Sequence, residues 1–290
     1  MSASRMYRSL PALMLSLLLV SACGGGDDAA TGGDAAASDA YVVPAGEAAS
    51  IAGTVAFQGT PPAPESIDMA DEPTCEAKHG SAGPTTEAVV VNDNSTLANV
   101  FVYVKEGLGD RTFAAGTGAK VIDQDGCTYR PHVIGVQTDQ PLTFRNSDGL
   151  LHNINAQATT NRSFNISQPQ NMDSQRSFTQ PEIMIPVRCD VHGWMEAYIG
   201  VVDHPYFAVT GEDGSFTIEN LPPGDYTLEA WHERYGTQTM QVSVAAQETG
   251  EASFTFNEGM AASAVVPLGA PIDPHGSHTP VAAVAAAAGR

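Results

Sequence analysis

Between Ile51 and Phe256 apolar and polar residues alternate in short runs, and clusters of Gly, Pro, Asn and Asp separate those runs. The pattern predicts strands over residues 51–57, 88–91, 100–104, 132–136, 142–144, 197–202, 215–218, 226–231, 239–244 and 252–256. No stretch sustains a 3.6-residue apolar period, so the fold class expected is all-β, most naturally two packed sandwiches. Outside that region the pattern changes. Residues 1–22 pair a basic start, Arg5 and Arg8, with an apolar core from Leu10 to Leu19, too short for a permanent membrane span, and read as a cleaved export signal. Residues 23–49 open with Gly24-Gly25-Gly26-Asp27-Asp28 and run on in Ala, Gly and Asp, a composition that predicts a flexible tether. Residues 258–290, dominated by Ala with Pro and Gly, show no alternation and are expected to be disordered.

Charge narrows the partners. The 290 residues carry 33 acidic and 13 basic side chains, a formal charge of −20, and removal of residues 1–22 would leave −22. Such a surface opposes binding of nucleic acid or anionic lipid through a basic face. A basic protein or a metal cation suits it better. The signal ends in Val20-Ser21-Ala22-Cys23, which resembles a bacterial lipobox. That resemblance implies lipid on Cys23, attachment to the cell envelope facing the periplasm or exterior, and, with Gly24 next, transfer to the outer membrane if the host is Gram-negative.

With Cys23 lipidated, Cys75, Cys127 and Cys189 remain in an oxidising compartment and one must be left over. Cys75 and Cys127 sit in polar, turn-like settings without metal-ligand spacing, and are expected to form a structural disulfide. Cys189 has His192 three residues on and Met195 six residues on. A copper site for outer-sphere electron transfer needs one thiolate, two imidazoles and a weak axial thioether. Cys189, His192 and Met195 supply three of these, and His152, 37 residues upstream, is the fourth candidate. Zinc also binds Cys and His, but thioether is a poor zinc ligand, so copper is favoured. Taken singly, His152 reads as a satisfied core or surface histidine, Met195 as packing and Cys189 as a buried thiol.

Here the chain resembles the cupredoxins, and within them the amicyanin type, with two residues between Cys189 and His192 and two between His192 and Met195. His152-Asn153-Ile154 after Phe144-Arg145-Asn146, and the earlier stretch from Tyr129 to Gln137, fit the same family in order. The resemblance implies one type 1 copper ion, equatorial His152 and His192, axial Met195, and an electron port at the surface formed by His192 with Gly193 and Trp194. It makes Asn146 and Asn153 candidates for fixing the Cys189 loop by hydrogen bonds. Asp190 departs from the proline often found near there.

A second resemblance lies downstream. Asp213-Gly214 gives a tight turn, an aromatic strand follows, and Leu221-Pro222-Pro223-Gly224 leads into a Tyr226 strand. This resembles the carboxypeptidase-regulatory-like, transthyretin-related sandwich. That module normally starts with two strands such as 51–55 and 100–104, which here lie before the copper region. The simplest organisation is a cupredoxin at 119–203 inserted into a discontinuous sandwich of 50–118 and 204–257; the alternative is that 50–118 extends the cupredoxin.

The expected function is therefore a lipid-anchored, extracytoplasmic, mononuclear blue-copper protein that passes single electrons between redox partners, with a basic protein such as a c-type cytochrome as partner. It is expected not to be an enzyme, since no further His-rich copper motif is found. Two rivals stay open: copper storage or delivery, and a structural or adhesion lipoprotein with a vestigial site. Single histidines such as His79, His132, His204 and His232 read as structural or solvated.

Overall fold

A computed structural model describes residues 40–263. Seventeen strands lie in it, and the short helix α1 (Pro73–Glu76) and a 3-10 turn (Glu258–Ser263) are its only helical elements among the described residues. Four sheets make two sandwiches. The first carries β3 (Lys120–Gln124), β4 (Tyr129–Arg130), β6 (Leu142–Asn146) and β9 (Asp173–Arg176) in the order β4-β3-β6-β9. Facing them are β5 (Val133–Gln137), β7 (His152–Ala156), β8 (Phe164–Gln168), β10 (Glu182–Arg188) and β11 (Glu196–Val202), in the order β5-β11-β10-β7-β8. Phe144, Ile122, Leu142, Ile154, Ile185 and Ile199 fill the space between the two sheets.

The second sandwich joins both ends of the described chain. β1 (Ala49–Gln58) pairs with β13 (Ser215–Leu221), β16 (Thr249–Glu251) and β17 (Phe254–Asn257). The opposing sheet runs in the order β12 (Phe207–Val209), β2 (Phe101–Glu106), β14 (Gly224–His232) and β15 (Gly236–Val244). Ile51, Val55, Phe216, Leu228 and Phe256 occupy its core.

Strands β2 and β11 are buried on both faces, and their alternation shows why. Val102 and Val104 point into the second sandwich while Phe101 and Tyr103 point away from it. On β11, Ala197, Ile199 and Val201 point into the first sandwich while Tyr198 and Val202 point away. Phe101, Tyr103, Val133, Met184, Tyr198 and Val202 thus form a third cluster between the sandwiches. Gly135 and Gly200 leave the room it needs: a Cβ on Gly135 would lie 2.4 Å from the Phe207 ring, and one on Gly200 would lie 2.7 Å from Phe101.

Several expectations are corrected. Residues 88–91 form no strand; Val91 makes one isolated bridge to Leu97, because the 92–96 turn folds back through Asn92 N–H to the Thr96 carbonyl. The stretch 50–118 divides: β1 and β2 belong to the second sandwich, whereas Ile67, Met69 and Cys75 pack on the first core. The 23–49 stretch is not wholly a free tether, since Tyr41 donates its N–H to the Thr112 carbonyl at 2.7 Å, stacks near Arg111, and Ala49 begins β1. Residues 258–263, placed in the disordered tail, form the 3-10 turn, with Met260 against the second core. Cys23, the signal and the rest of both terminal segments lie outside the described residues.

Candidate metal centre

β10 lies between β7 and β11, in register Val187 with Ala156 and with Ala197. This arrangement puts the start of β7 and the β10–β11 connection at one end of one sheet. His152 is the first residue of β7, Cys189 follows β10, and Met195 precedes β11. The connection is pinned at its base: Cys189 N–H donates to the Met195 carbonyl at 3.3 Å and Met195 N–H to the His192 carbonyl at 2.9 Å. His192 N–H also donates to Cys189 Sγ at 3.4 Å.

The fold brings together donors widely separated in sequence. Nδ1 of His152 and Nδ1 of His192 face each other at 2.9 Å, with ring centroids 4.7 Å apart. Cys189 Sγ lies 3.9 Å from His192 Nδ1, and the donor atoms of His152, Cys189 and His192 all lie within 4.8 Å of one another. All three residues are buried, as is Met195 beside them in the same core. Two imidazoles and a free thiol converging on one point, with a thioether residue closing the loop, fit a copper ion by donor chemistry. Among the described residues Cys189 is the free cysteine, because Cys75 and Cys127 are joined in a disulfide.

Electrostatics lower the cost of a thiolate there. Burial works against ionising Cys189, but hydrogen bonding with His152 and with N–H groups around it pulls its pKa below the usual thiol value. Burial likewise opposes protonation of His152, yet Asp148 and Cys189 outweigh it and raise its pKa to about 8. His192 moves the other way: burial first, then the charge of His152, lowers its pKa. Metal binding requires these ligands deprotonated, so it would displace any proton they hold.

The two asparagines have different tasks. Asn153 holds the thiol loop, its Oδ1 accepting from Asp190 N–H at 2.6 Å and from Cys189 Sγ at 3.4 Å. Asn146 does not touch that loop. Its amide donates to the Leu150 and Gln168 carbonyls at 2.7 and 3.0 Å, and its Oδ1 accepts Asp148 N–H, so it shapes the turn before His152 instead.

The surface port is also corrected. His192 is 3% exposed, and Cys75 Sγ of the disulfide and Glu72 Oε2 each lie 3.9 Å from its Nε2. The 69–79 segment covers the ring edge that was expected at the surface. Gly193 is exposed, and Trp194 is partly buried, with Nε1 donating to the Cys127 carbonyl at 3.0 Å and its ring 5.2 Å from that of His192.

Sequence reasoning missed Asp148, which is buried and accepts from His152 Nε2 at 2.9 Å. Burial would raise its pKa, but His152, Lys78 and the N–H groups of Cys127 and Gly126 hold it down at about 2. Nothing in the turn Asn146-Ser147-Asp148-Gly149 marks it by residue type; its spacing of four from His152 was the available signal.

Beside the centre, Trp194 and Met195 form part of a cleft of about 380 Å³ shared with His79, Glu87, His132 and Glu196. His132, buried, pairs with Glu233 at 2.6 Å.

Comparison with known proteins adds the following. No curated protein gives a match to this chain. Among solved structures it is similar to an oxidised variant of amicyanin, at 20% identity and TM-score 0.27, over 34% of this chain and 97% of that one. A purple cupredoxin from Nitrosopumilus maritimus is similar at 18% identity and TM-score 0.25, over 28% of this chain and 98% of that one. A copper-containing nitrite reductase from Thermus scotoductus SA-01 is similar at 17% identity and TM-score 0.29, over 33% of this chain; the chain spans 25% of that protein's length. Residues 196–257, which take in β11 of the first sandwich and β12 to β17 of the second, match the carboxypeptidase regulatory-like domain family.

Proposed function

We propose that the chain would hold one type 1 copper ion between Cys189, His152 and His192, with Met195 as a weak thioether ligand, and pass single electrons between redox partners. The observation that carries this reading is the meeting of two Nδ1 atoms and one free thiol in a buried pocket. A soft thiolate with two imidazoles serves both copper oxidation states, and the bound metal supplies a one-electron couple there. The chain's own contribution is to hold the donors. Asn153 fixes the thiolate loop by accepting the Asp190 N–H, Asp148 fixes His152, and the base of the loop is closed by backbone bonds. A rigid, buried donor set lowers the rearrangement that accompanies each electron.

The ligand set also suits storage or delivery of copper, but burial of every donor favours retention over release. Under the electron-transfer reading the chain is not an enzyme, the export signal is cleaved and lipid on Cys23 anchors it at the cell envelope, and a basic redox protein such as a c-type cytochrome is its partner, drawn by the net charge of −22 left after cleavage.

Metal analysis of the full ectodomain after Cu(II) loading and desalting tests the ligand assignment. One copper per chain is expected, falling to well below one in Cys189→Ser and in His152→Ala. Equal loading of the wild type and both variants would contradict it.

A further inference from the structure

The outer nitrogens of the two imidazoles face one assembly built around the Cys75–Cys127 disulfide. Gly126 and Cys127 both have positive φ, 67° and 53°, and this left-handed pair turns two successive N–H groups onto Asp148, at 2.7 and 2.8 Å. Asp148 in turn accepts from His152 Nε2 at 2.9 Å, and Lys78 Nζ reaches its other oxygen at 2.9 Å. Cys127 is bonded to Cys75, whose Sγ lies 3.9 Å from His192 Nε2. The path His152, Asp148, Cys127, Cys75, His192 therefore closes a ring around the donor cluster. Trp194 Nε1 and His79 Nε2 tie to the carbonyls of the same two loop residues, Cys127 and Gly126.

From this geometry we infer that the Cys75–Cys127 bridge and Asp148 act as one clamp, which positions both imidazoles from outside and closes the His192 edge to solutes. The bridge is thus more than a staple between loop and core. It makes the 69–79 segment a fixed shield over the ring edge through which an electron would otherwise pass directly to a docked redox protein. Asp148 is a positioning residue: its carboxylate fixes which nitrogen of His152 is free and strengthens that ring as a donor.

This inference rests on the copper reading only in its second arm. The first arm uses the metal-free full chain, treated with diethyl pyrocarbonate and read by peptide mass spectrometry. His192 is expected to react slowly in the wild type and several-fold faster in the Cys75→Ser, Cys127→Ser double variant, while buried His204 stays slow in both. Equal His192 rates with His204 still protected would overturn the shield. If the double variant fails to fold, as a reactive His204 would reveal, Glu72→Ala with Lys78→Ala loosens the same segment with the bridge intact, and His192 must then react faster than in the wild type; an unchanged rate overturns the shield. The second arm is voltammetry of copper-loaded Asp148→Asn. Loss of the carboxylate behind His152 should raise the reduction potential and weaken copper binding about 10- to 100-fold. Unchanged potential and affinity would overturn the role of Asp148. A wild-type chain that takes up no copper would refute the metal reading, with the shield still decided by the labelling.

Discussion

Three asparagine amides converge on Asp190, the residue after the thiol ligand: Asn153 and Asn155 from β7 at 2.9 Å each, and Asn165 from β8 at 2.7 Å. These bonds depress its pKa, Asn155 most strongly. A carboxylate at this place does by side-chain bonds what a stiff backbone would do otherwise, namely stop the loop from swinging its sulfur away. Asp190→Ala should lower stability by about 1–2 kcal/mol, the usual worth of partly exposed bonds to a charged acceptor, and should speed copper loss to a chelator. Urea unfolding and a competition assay check both, and an unchanged copper off-rate would show that the loop holds itself. At this scale the sequence was most informative about the ligands, because Cys189, His192 and Met195 lie on one short loop whose spacing is local. Cys75 was opaque as a neighbour of an imidazole, because it meets His192 across 117 positions of the chain, and the hold on Asp148 by Gly126 spans 22, although Asp148 itself lies only four positions from His152.

Strand β14 ends in His232, whose buried ring lies 4.7 Å from that of Tyr235 and 5.9 Å from that of Phe256. Its Nδ1 accepts the Arg234 N–H at 3.1 Å. Burial, with a smaller contribution from the charge of His132, drives its pKa from 6.5 to about 3. Between those values the unfolded chain binds a proton that the folded chain refuses, so stability rises with pH across the window and falls as pH drops from 6.5 toward 3. The slope from this one group is at most about 1.4 kcal/mol per pH unit. His232→Asn should flatten that part of the pH dependence relative to the wild type; parallel urea midpoints from pH 7 to 4 would contradict it. Elements with clean alternation, such as β13, β14 and β15, were legible from the sequence. Strand β7 was not, because His152-Asn153-Ile154-Asn155-Ala156 puts polar residues on positions that turn inward to the site. Strand β10 hid behind Pro186, which breaks the usual strand composition, and the helix α1 was too short to show any period.

Between the sandwiches the third apolar cluster packs the domain that holds the donors against the one formed by both ends of the described residues. Gly200→Val would drive a side chain into Phe101 and the Met184 methyl, each 2.7 Å from the added Cβ, and should cost about 1–3 kcal/mol by overpacking. Calorimetry is expected to show one transition in the wild type and a lowered or split transition in the variant; an unshifted single transition would mean the sandwiches are not coupled there. The two-sandwich architecture was legible from strand spacing and turn chemistry, and so was the Cys75–Cys127 disulfide, but the division of residues 50–118 between the two cores was not, because it rests on the packing of Ile67 and Met69 against the first core, which alternation does not encode. The acidic whole-molecule charge makes its own prediction: electron transfer to a basic cytochrome should slow as salt rises, since screening acts on steering rather than on the buried donors. The most direct measurement is a visible absorption and EPR spectrum of the full ectodomain after Cu(II) addition, beside Cys189→Ser. An intense thiolate-to-copper band with narrow copper hyperfine splitting, bleached by reductant, restored by oxidant and absent in the variant, is the predicted result. A colourless protein, or a spectrum that the variant reproduces, would contradict it.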